Sequence, residues 1–389
     1  MTKTDPVPLL TALIRCRSVT PAEAGTLQFA AQTLGKAGFS TKELRFSAPD
    51  TPDVDNLFAR FGMGRKHFCF AGHVDVVPPG NEQSWTYPPF EGAVAQGFVY
   101  GRGASDMKGS VAAFMAAAIE FAAERGSAFT GAISLLLTCD EEGPAINGTR
   151  KVIAWLAAEG MVPDHCLLGE PTSLGQLGDT MKIGRRGSLS AAITAFGKQG
   201  HSAYPQQFDN PIPKLVRLLD RLHRHVLDGG TGQFEPSHMA ITSVDVGNEA
   251  TNVTPERASA KLNIRFNPLH SGEKLKEWIE TEADKVRAEM GGRFEFSYSE
   301  PREAFLTDPN PFVETVQEAV EDVTGLRPKL SVSGGASDAG FIKAFCPVVE
   351  FGPTNATIHQ VDERISIDEL LQLKAVYQAV LAKYFDAHA

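Results

Sequence analysis

The first half of the chain alternates short apolar runs, which are typical of buried strands, with segments of helical periodicity. One of these segments is a long alanine-rich helix that ends near Arg125. Strands are predicted over residues 41–46, 56–61, 68–77, 133–138 and 165–168. This order predicts an α/β fold with a mainly parallel sheet and helices on both faces. Because ligands of such sheets bind beyond the carboxyl ends of the strands, polar residues at those ends are the candidates for a functional site.

The order of the predicted elements changes after residue 187. Residues 188–299 contain a strand, a helix, two strands, a helix and a strand. This is the β-α-β-β-α-β order of an α+β ferredoxin-like unit, and the alternation of helices and strands resumes after Pro301. We therefore expect a catalytic domain made of residues 1–184 and 300–389, with residues 185–299 inserted as a dimerisation or lid domain.

Two capping boxes predict the starts of helices. The first has Thr20 followed by Glu23, with Pro21 at the first helical position. The second has Ser366 followed by Glu369 and predicts a last helix that runs to Phe385.

The charge balance limits the partners of the chain. Lys and Arg number 37 against 47 Asp and Glu, so the formal net charge is −10, which disfavours nucleic acid and anionic membrane surfaces. The N-terminal residues do not form a signal peptide, and the apolar segment 111–119 is too short to span a membrane. We expect a cytoplasmic protein that binds neither nucleic acid nor membranes.

Residues that can bind metal ions fall at the predicted strand ends or in the loops that follow them. They are His73, Asp106, Glu142, Glu170 and His359. Such a set suits zinc and, less selectively, cobalt or manganese. It is too large for one catalytic zinc, but it fits two metals that are bridged by one carboxylate about 4 Å apart. Taken singly, each residue could instead be structural, although clustered buried carboxylates without a cation would repel one another.

Two further carboxylates lie beside these residues. Strand periodicity places His73 and Asp75 on the same side, where Asp75 could orient the imidazole or the two could simply cap the strand. The adjacent Glu141 and Glu142 cannot both point at one metal. One can bind the metal while the other acts as a general base, which is the combination that hydrolysis of an amide requires.

Four motifs, in this order, resemble the di-zinc amidohydrolases that include aminoacylase, acetylornithine deacetylase and glutamate carboxypeptidases. They are Gly72-His73-Val74-Asp75, Gly101-Arg102-Gly103-Ala104-Ser105-Asp106-Met107-Lys108-Gly109, Asp140-Glu141-Glu142-Gly143 and Gly169-Glu170-Pro171-Thr172. The resemblance covers essentially the whole chain and implies a homodimer with two Zn²⁺ per subunit, one of which Co²⁺ or Mn²⁺ could replace. It also implies that His73 and Glu170 hold one zinc, that Glu142 and His359 hold the other, and that Asp106 bridges them.

The resemblance further assigns catalytic roles. Asp75 would orient His73, and Glu141 would take a proton from the attacking water and pass it to the departing amine. His201, in the inserted domain, would reach the partner's site across the dimer interface and stabilise the tetrahedral oxyanion. Without the resemblance, His201 is more simply a loop histidine beside Tyr204.

Other motifs resemble the branch of this family that hydrolyses N-succinyl-LL-2,6-diaminopimelate. They are Gly184-Arg185-Arg186-Gly187-Ser188, Gly200-His201-Ser202-Ala203-Tyr204-Pro205, Asn252-Val253-Thr254-Pro255 and Thr357-Ile358-His359. Arginine suits a small-molecule substrate with several carboxylates, although each arginine could instead pair with an acidic residue of its own domain. The candidate substrate-binding residues are Arg185, Arg186 and Arg265, with Ser188, Tyr204, Asn252, Gly334 and Gly335 as weaker candidates.

Two other functions stay open at this point. The first is deacetylation of N-acetylornithine or hydrolysis of another N-acyl amino acid. The second is a catalytically inactive relative that binds acylated amino acids or peptides. Glu141 and the full set of metal ligands argue against the inactive relative.

Overall fold

The computed structural model describes residues 3–386, which form both helices and strands. The helices are α1 (Pro6–Arg15), α2 (Thr26–Lys36), α3 (Lys108–Arg125), α4 (Thr149–Ala158), α5 (Pro211–Arg224), α6 (Gly272–Met290), α7 (Pro311–Thr324), α8 (Ala339–Ile342) and α9 (Ile367–Asp386). The strands are β1 (Ser40–Phe46), β2 (Val54–Phe61), β3 (His67–His73), β4 (Ala93–Ala95), β5 (Phe98–Tyr100), β6 (Ala132–Thr138), β7 (His165–Leu168), β8 (Thr180–Lys182), β9 (Gly184–Arg185), β10 (Gly187–Phe196), β11 (Gly200–His201), β12 (His238–Asp245), β13 (Val253–Thr254), β14 (Arg257–Phe266), β15 (Arg293–Tyr298), β16 (Phe305–Leu306), β17 (Lys329–Ser331), β18 (Val348–Glu350) and β19 (Arg364–Ser366). No helix in this described range is both long and apolar enough to cross a membrane.

The chain divides into two compact units. The first contains the residues up to Ile183, Thr307–Ser331 and the residues from Phe341 onward. The second contains Gly184–Leu306 and Val332–Gly340.

An eight-stranded sheet in the first unit has the order β1-β2-β6-β3-β7-β18-β8-β17. Its central strands β6, β3, β7 and β18 are parallel to one another. The pairs β1–β2, β2–β6 and β18–β8 are antiparallel, and β17 is parallel to β8. Every residue of β3 is buried, as expected for a central strand of a parallel sheet. The predicted α/β fold with a mainly parallel sheet and helices is confirmed.

The strand order reverses at β3. The chain passes from β3 through α3 to β6 on one side, whereas β7 pairs with the other side of β3. Such a reversal opens a crevice at the carboxyl ends of the strands. It is therefore the expected place for a ligand site.

Aromatic side chains fill the core of the first unit where β3 meets α3 and α9. The rings of Phe70 and Phe114 stack with centroids 4.3 Å apart, and the ring of Tyr377 meets Phe114 edge-on at 5.7 Å. All three side chains are fully buried. This contact fixes α3, whose N-terminal end carries part of the site described below.

Replacing Phe114 with alanine is expected to lower the free energy of unfolding by about 3–5 kcal/mol, because it leaves a cavity in a close-packed core. Urea unfolding of both variants measures the effect. Phe345→Ala removes the same ring from a side chain that is 41% exposed and should change stability much less. An equal loss in the two variants would contradict this account of the core.

The capping box at Ser366 is confirmed as a helix start. The Ser366 hydroxyl accepts the Glu369 N–H at 3.0 Å, and α9 begins at Ile367. The reciprocal half of the box is absent, since the Glu369 carboxylate instead accepts the N–H of Thr354 at 2.6 Å.

The prediction that a helix starts at Thr20 is wrong. Helix α2 begins at Thr26, after Gly25 in the left-handed conformation. The Thr20 N–H donates to the carbonyl of Val76 at 3.0 Å, so this backbone pairs with the segment that follows β3. The Glu23 carboxylate accepts the N–H of Gly25 at 2.9 Å and so supports the helix start a few residues later.

The second unit contains a four-stranded antiparallel sheet in the order β12-β14-β10-β15. Alternate residues of β10 are buried, among them Leu189, Ala191 and Ile193. They form one core with apolar residues of α5 and α6. Strands β11 and β13 form a separate short ribbon.

Candidate metal centre

The carboxyl ends of the central strands of the first unit deliver four of the predicted ligands. His73 is the last residue of β3, Glu142 follows β6, and Glu170 follows β7. His359 lies in the loop between β18 and β19. Asp106 comes two residues before α3, the helix that follows β3 along the chain.

The structure brings these five side chains together as two groups. The first triad is His73, Asp106 and Glu170, and the second triad is Asp106, Glu142 and His359. Within each triad the candidate ligand atoms lie within 4.8 Å of one another. All of these residues except His359 are buried or half-buried, and the His359 side chain is 47% exposed, so the second triad is open to solvent.

Asp106 presents one carboxylate oxygen to each triad. Its Oδ1 lies 3.2 Å from Nε2 of His73, and its Oδ2 lies 3.3 Å from Nε2 of His359. A carboxylate in this position can bridge two metal ions.

The imidazole of His73 is oriented as metal ligands usually are. His73 Nδ1 lies 2.9 Å from the main-chain carbonyl of Asp75, and donation of its proton there leaves the Nε2 lone pair for a metal. His359 Nε2 lies 2.9 Å from Oε1 of Glu142. Two neutral imidazoles with three carboxylates are the donor set of a site for two divalent cations, so the residues present fit such a site.

The electrostatics of the cluster favour positive charge. Burial lowers the pKa of His73, but the hydrogen bond and charge of Asp106 outweigh it and raise that pKa well above its usual value. The hydrogen bonds to Asp106 and Glu142 raise the pKa of His359 to about 10. Burial opposes ionisation of Asp106, yet its hydrogen bonds with the two imidazoles hold its pKa below the usual value. The same carboxylates would stabilise bound cations.

Asp75 contacts the cluster in a way that the sequence did not predict. Its main-chain carbonyl, rather than its carboxylate, makes the short contact with His73, whose Nδ1 is 3.7 Å from Oδ1. The carboxylate accepts the N–H groups of Glu141 at 3.4 Å and Glu142 at 3.2 Å. Burial raises the pKa of Asp75 to about 6. Asp75 thus links the end of β3 to the turn that carries both glutamates.

His201 lies in the second unit, on the short β11–β13 ribbon. Its side chain is exposed, and Nδ1 accepts the N–H of Ala203 at 3.1 Å. In the neutral imidazole the proton is therefore on Nε2, which is a hydrogen-bond donor. The ring of Tyr204 lies 5.6 Å from that of His201, and the carbonyl of Asn252 accepts the N–H of Ser202 at 2.9 Å. The ribbon thus groups three of the predicted residues.

The predicted arginines of the second unit have different surroundings. Burial and the nearby charge of Arg186 lower the pKa of Arg265, and Arg265 pairs across the sheet with Ser188. Arg186 also makes a 3.3 Å ion pair with Glu235, a side chain that is 82% exposed.

Arg185 is buried and donates to the main-chain carbonyl of Gly335 at 3.0 Å. Gly334, which precedes Gly335 in the chain, has φ = 104°, a conformation that favours glycine.

Glu363 is a further residue of the site that sequence reasoning missed. It is fully buried, and its Oε2 accepts from Arg102 Nη1 at 2.7 Å and from the Gly103 N–H at 3.1 Å. Its Oε1 accepts the N–H groups of Ser105 and Asp106, each at 3.0 Å. No local pattern marks Glu363 as buried, because these four partners lie more than 250 residues away in the chain.

Comparison with known proteins agrees with this geometry. A family model described as Peptidase family M20/M25/M40 matches residues 69–383. The succinyl-diaminopimelate desuccinylase of Parvibaculum lavamentivorans is 51% identical over 385 residues, which are 99% of this chain and 97% of that protein. The protein of the same name from Rhodospirillum centenum is 52% identical over 98% of this chain and 97% of that protein.

Solved structures share the fold at low sequence identity. An M20 family metallo-carboxypeptidase from Sulfolobus solfataricus has a TM-score of 0.80 and 18% identity, covering 98% of this chain and 99% of that one. A dinuclear metal binding peptidase of the M20 family from Bacillus subtilis has a TM-score of 0.70 and 18% identity, covering 97% of this chain and 96% of that one. The chain therefore belongs to peptidase family M20/M25/M40.

Proposed function

We propose that the chain is a zinc-dependent amidohydrolase that converts N-succinyl-LL-2,6-diaminopimelate and water to succinate and LL-2,6-diaminopimelate. The observation that carries this proposal is the 51% identity, over 99% of the chain, to a protein named succinyl-diaminopimelate desuccinylase. The two triads that share Asp106 support it, because they supply the donors that two metal ions need.

The five ligand residues hold two Zn²⁺ in this proposal. His73 and Glu170 would hold one ion, Glu142 and His359 would hold the other, and Asp106, which belongs to both triads, would contribute to both. When bound, the ions polarise the amide carbonyl and lower the pKa of water at the site.

Glu141 is the proposed general base. It takes a proton from water as the water oxygen attacks the amide carbonyl carbon, and it gives that proton to the amine nitrogen as the carbon–nitrogen bond breaks. Its charge is close enough to the metal ligands to contribute to the raised pKa of His73. The carboxylate of Asp75 holds the main chain of Glu141 and of its neighbour Glu142, whose side chain belongs to the second triad.

Arg186 and Arg265 are the residues that we favour for binding the substrate carboxylates. Burial and, to a smaller extent, the charge of Arg186 lower the pKa of Arg265, and an anion bound beside the two guanidinium groups would offset both effects. Ser188 lies opposite Arg265 in the sheet and adds a hydroxyl donor. Arg185 is a weaker candidate for binding the substrate, because its guanidinium already donates to the main-chain carbonyl of Gly335. Tyr204, Asn252 and the amides of Gly334 and Gly335 stay weaker candidates.

We further propose that the enzyme is a homodimer in which His201 serves the partner's metal centre. The exposed side chain and the Nε2 donor that its Nδ1 hydrogen bond leaves suit stabilisation of an oxyanion on another subunit.

His201→Ala is expected to bind metal normally and to turn over slowly. Mixing this variant with Glu141→Ala should restore part of the activity, because a mixed dimer has one site with both an intact Glu141 and an intact His201. Subunit exchange followed by a steady-state assay measures the recovery.

The matched control mixes His201→Ala with the double variant His201→Ala/Glu141→Ala, which cannot form an intact site. Recovery in neither mixture, or equal recovery in both, would contradict the role of His201 across the interface.

Parallel assays of amine release from N-succinyl-LL-2,6-diaminopimelate and from N-acetylornithine test the substrate. We expect the zinc-loaded enzyme to prefer the succinyl substrate. Preference for N-acetylornithine would agree with a metal-dependent amidohydrolase but would contradict the proposed substrate. Turnover of neither, with zinc bound, would support a binding protein instead.

A further inference from the structure

A buried ion pair joins the two segments that carry Asp106 and His359. Arg102 Nη1 lies 2.7 Å from Oε2 of Glu363, and the side chains are 3% and 0% exposed. The same guanidinium donates to the main-chain carbonyl of Gln360 at 3.3 Å and, more weakly, to that of His359 at 3.4 Å. Arg102 thus contacts the His359 loop from the segment that leads to Asp106.

Glu363, which lies in the segment that follows His359, contacts the segment that carries Asp106. It follows His359 by four residues, and its carboxylate accepts the main-chain N–H groups of Gly103, Ser105 and Asp106. With Arg102, four N–H donors converge on two oxygens. An ionised carboxylate satisfies all of them, whereas a glutamine would place its NH₂ group against some of these donors.

The backbone of His359 explains why such support matters. Its φ is +61°, in the left-handed region that residues other than glycine seldom occupy. With the backbone in this conformation, Nε2 of His359 lies 3.3 Å from the carboxylate of Asp106 and 2.9 Å from that of Glu142. Surrounding contacts must hold such a residue in place, and those from Arg102 are among them.

We propose that Arg102 and Glu363 are positioning residues that fix Asp106 and His359 relative to each other and thereby set the affinity of the centre for its two metal ions. The proposal rests on the proposed metal site. Neither side chain needs to touch a metal or the substrate, because each acts through the main chain of a ligand-bearing loop.

Zinc binding to the metal-stripped full-length protein tests this proposal. Competition with a chromophoric chelator gives the affinity for each equivalent of zinc, and visible absorption of the cobalt-loaded protein reports the ligand geometry. The variants are Glu363→Gln, which removes the charge at constant shape, and Arg102→Lys, which keeps the charge but loses the forked donors.

Asp228→Asn provides the matched control. Asp228 is another largely buried carboxylate that accepts several hydrogen bonds, and its partners Gly230, Ser237, Asn267 and His270 all belong to the second unit. It tests whether the loss of any such carboxylate weakens metal binding through general destabilisation. Thermal unfolding of each variant accompanies the binding measurements.

We expect Glu363→Gln to weaken both equivalents by about 10–100-fold, because Asp106 belongs to both triads. Arg102→Lys should weaken mainly one equivalent, the one held by His359, and alter the cobalt spectrum. Asp228→Asn should bind both equivalents as the wild type does, even where its unfolding temperature falls.

Wild-type affinities in both Glu363→Gln and Arg102→Lys would overturn the proposal, and so would equal weakening in Asp228→Asn. If Glu363→Gln does not fold, Arg102→Lys decides alone, and unchanged affinity for both equivalents overturns the proposal. A wild-type protein that binds no zinc would instead contradict the proposed function.

Discussion

Replacing Glu141 with alanine is expected to lower kcat by about 10²–10⁴-fold while both metal ions stay bound. The reason is that the two adjacent carboxylates have different roles, one as a proposed metal ligand and the other as the proposed base. Glu142 lies in the second triad, with Oε1 2.9 Å from His359, whereas Glu141 belongs to neither triad. Loss of Glu141 therefore removes the proposed base and leaves the ligand set complete.

Glu142→Ala is the matched control, since it makes the same change one residue further along the chain. It should lose metal from the second triad as well as activity. Metal content of the purified variants, with kcat measured at saturating zinc, separates the two effects. Near-normal turnover by Glu141→Ala would remove Glu141 from the mechanism, and loss of metal from that variant would make it a ligand rather than a base.

Asp106→Asn is expected to impair both metal positions at once. Its two carboxylate oxygens face different imidazoles, at 3.2 Å and 3.3 Å, so one substitution weakens the donor set of both triads. Loss of a residue that supports a ligand typically lowers metal affinity by about 10–100-fold. Loss of Asp106, a proposed direct ligand, should lower it by more. Activity should fall with it.

Glu170→Gln provides the comparison, because Glu170 belongs to the first triad alone. Calorimetric titration of the stripped variants with zinc should show both equivalents weakened in Asp106→Asn and one weakened in Glu170→Gln. The same pattern in both variants would mean that Asp106 is not shared.

The fold and the grouping of the five candidate ligand residues were predictable because their signals are local. Strand β3 is a short apolar run that ends in His73, and β7 is another that is followed by Glu170. Chain order then predicts parallel strands, and parallel strands bring their carboxyl ends to one edge. Neither step requires knowledge of a contact between distant residues.

Other features depended on tertiary contacts that no local pattern records. Thr20 resembles a helix cap, but its N–H pairs with the carbonyl of Val76, and the helix starts six residues later. Asp75 reaches His73 through its main chain, so its carboxylate is free to hold the turn of Glu141. Glu363 is more than 250 residues from the loop that it supports, so no local pattern in the sequence singles it out.

The most direct test of the central claim is a zinc titration of the metal-stripped protein, with amine release from N-succinyl-LL-2,6-diaminopimelate measured at each step. We predict no turnover without metal, and activity that rises with zinc until two equivalents per chain are bound, one for each triad. Turnover by the stripped protein, or zinc binding that never produces turnover of this substrate, would contradict the claim.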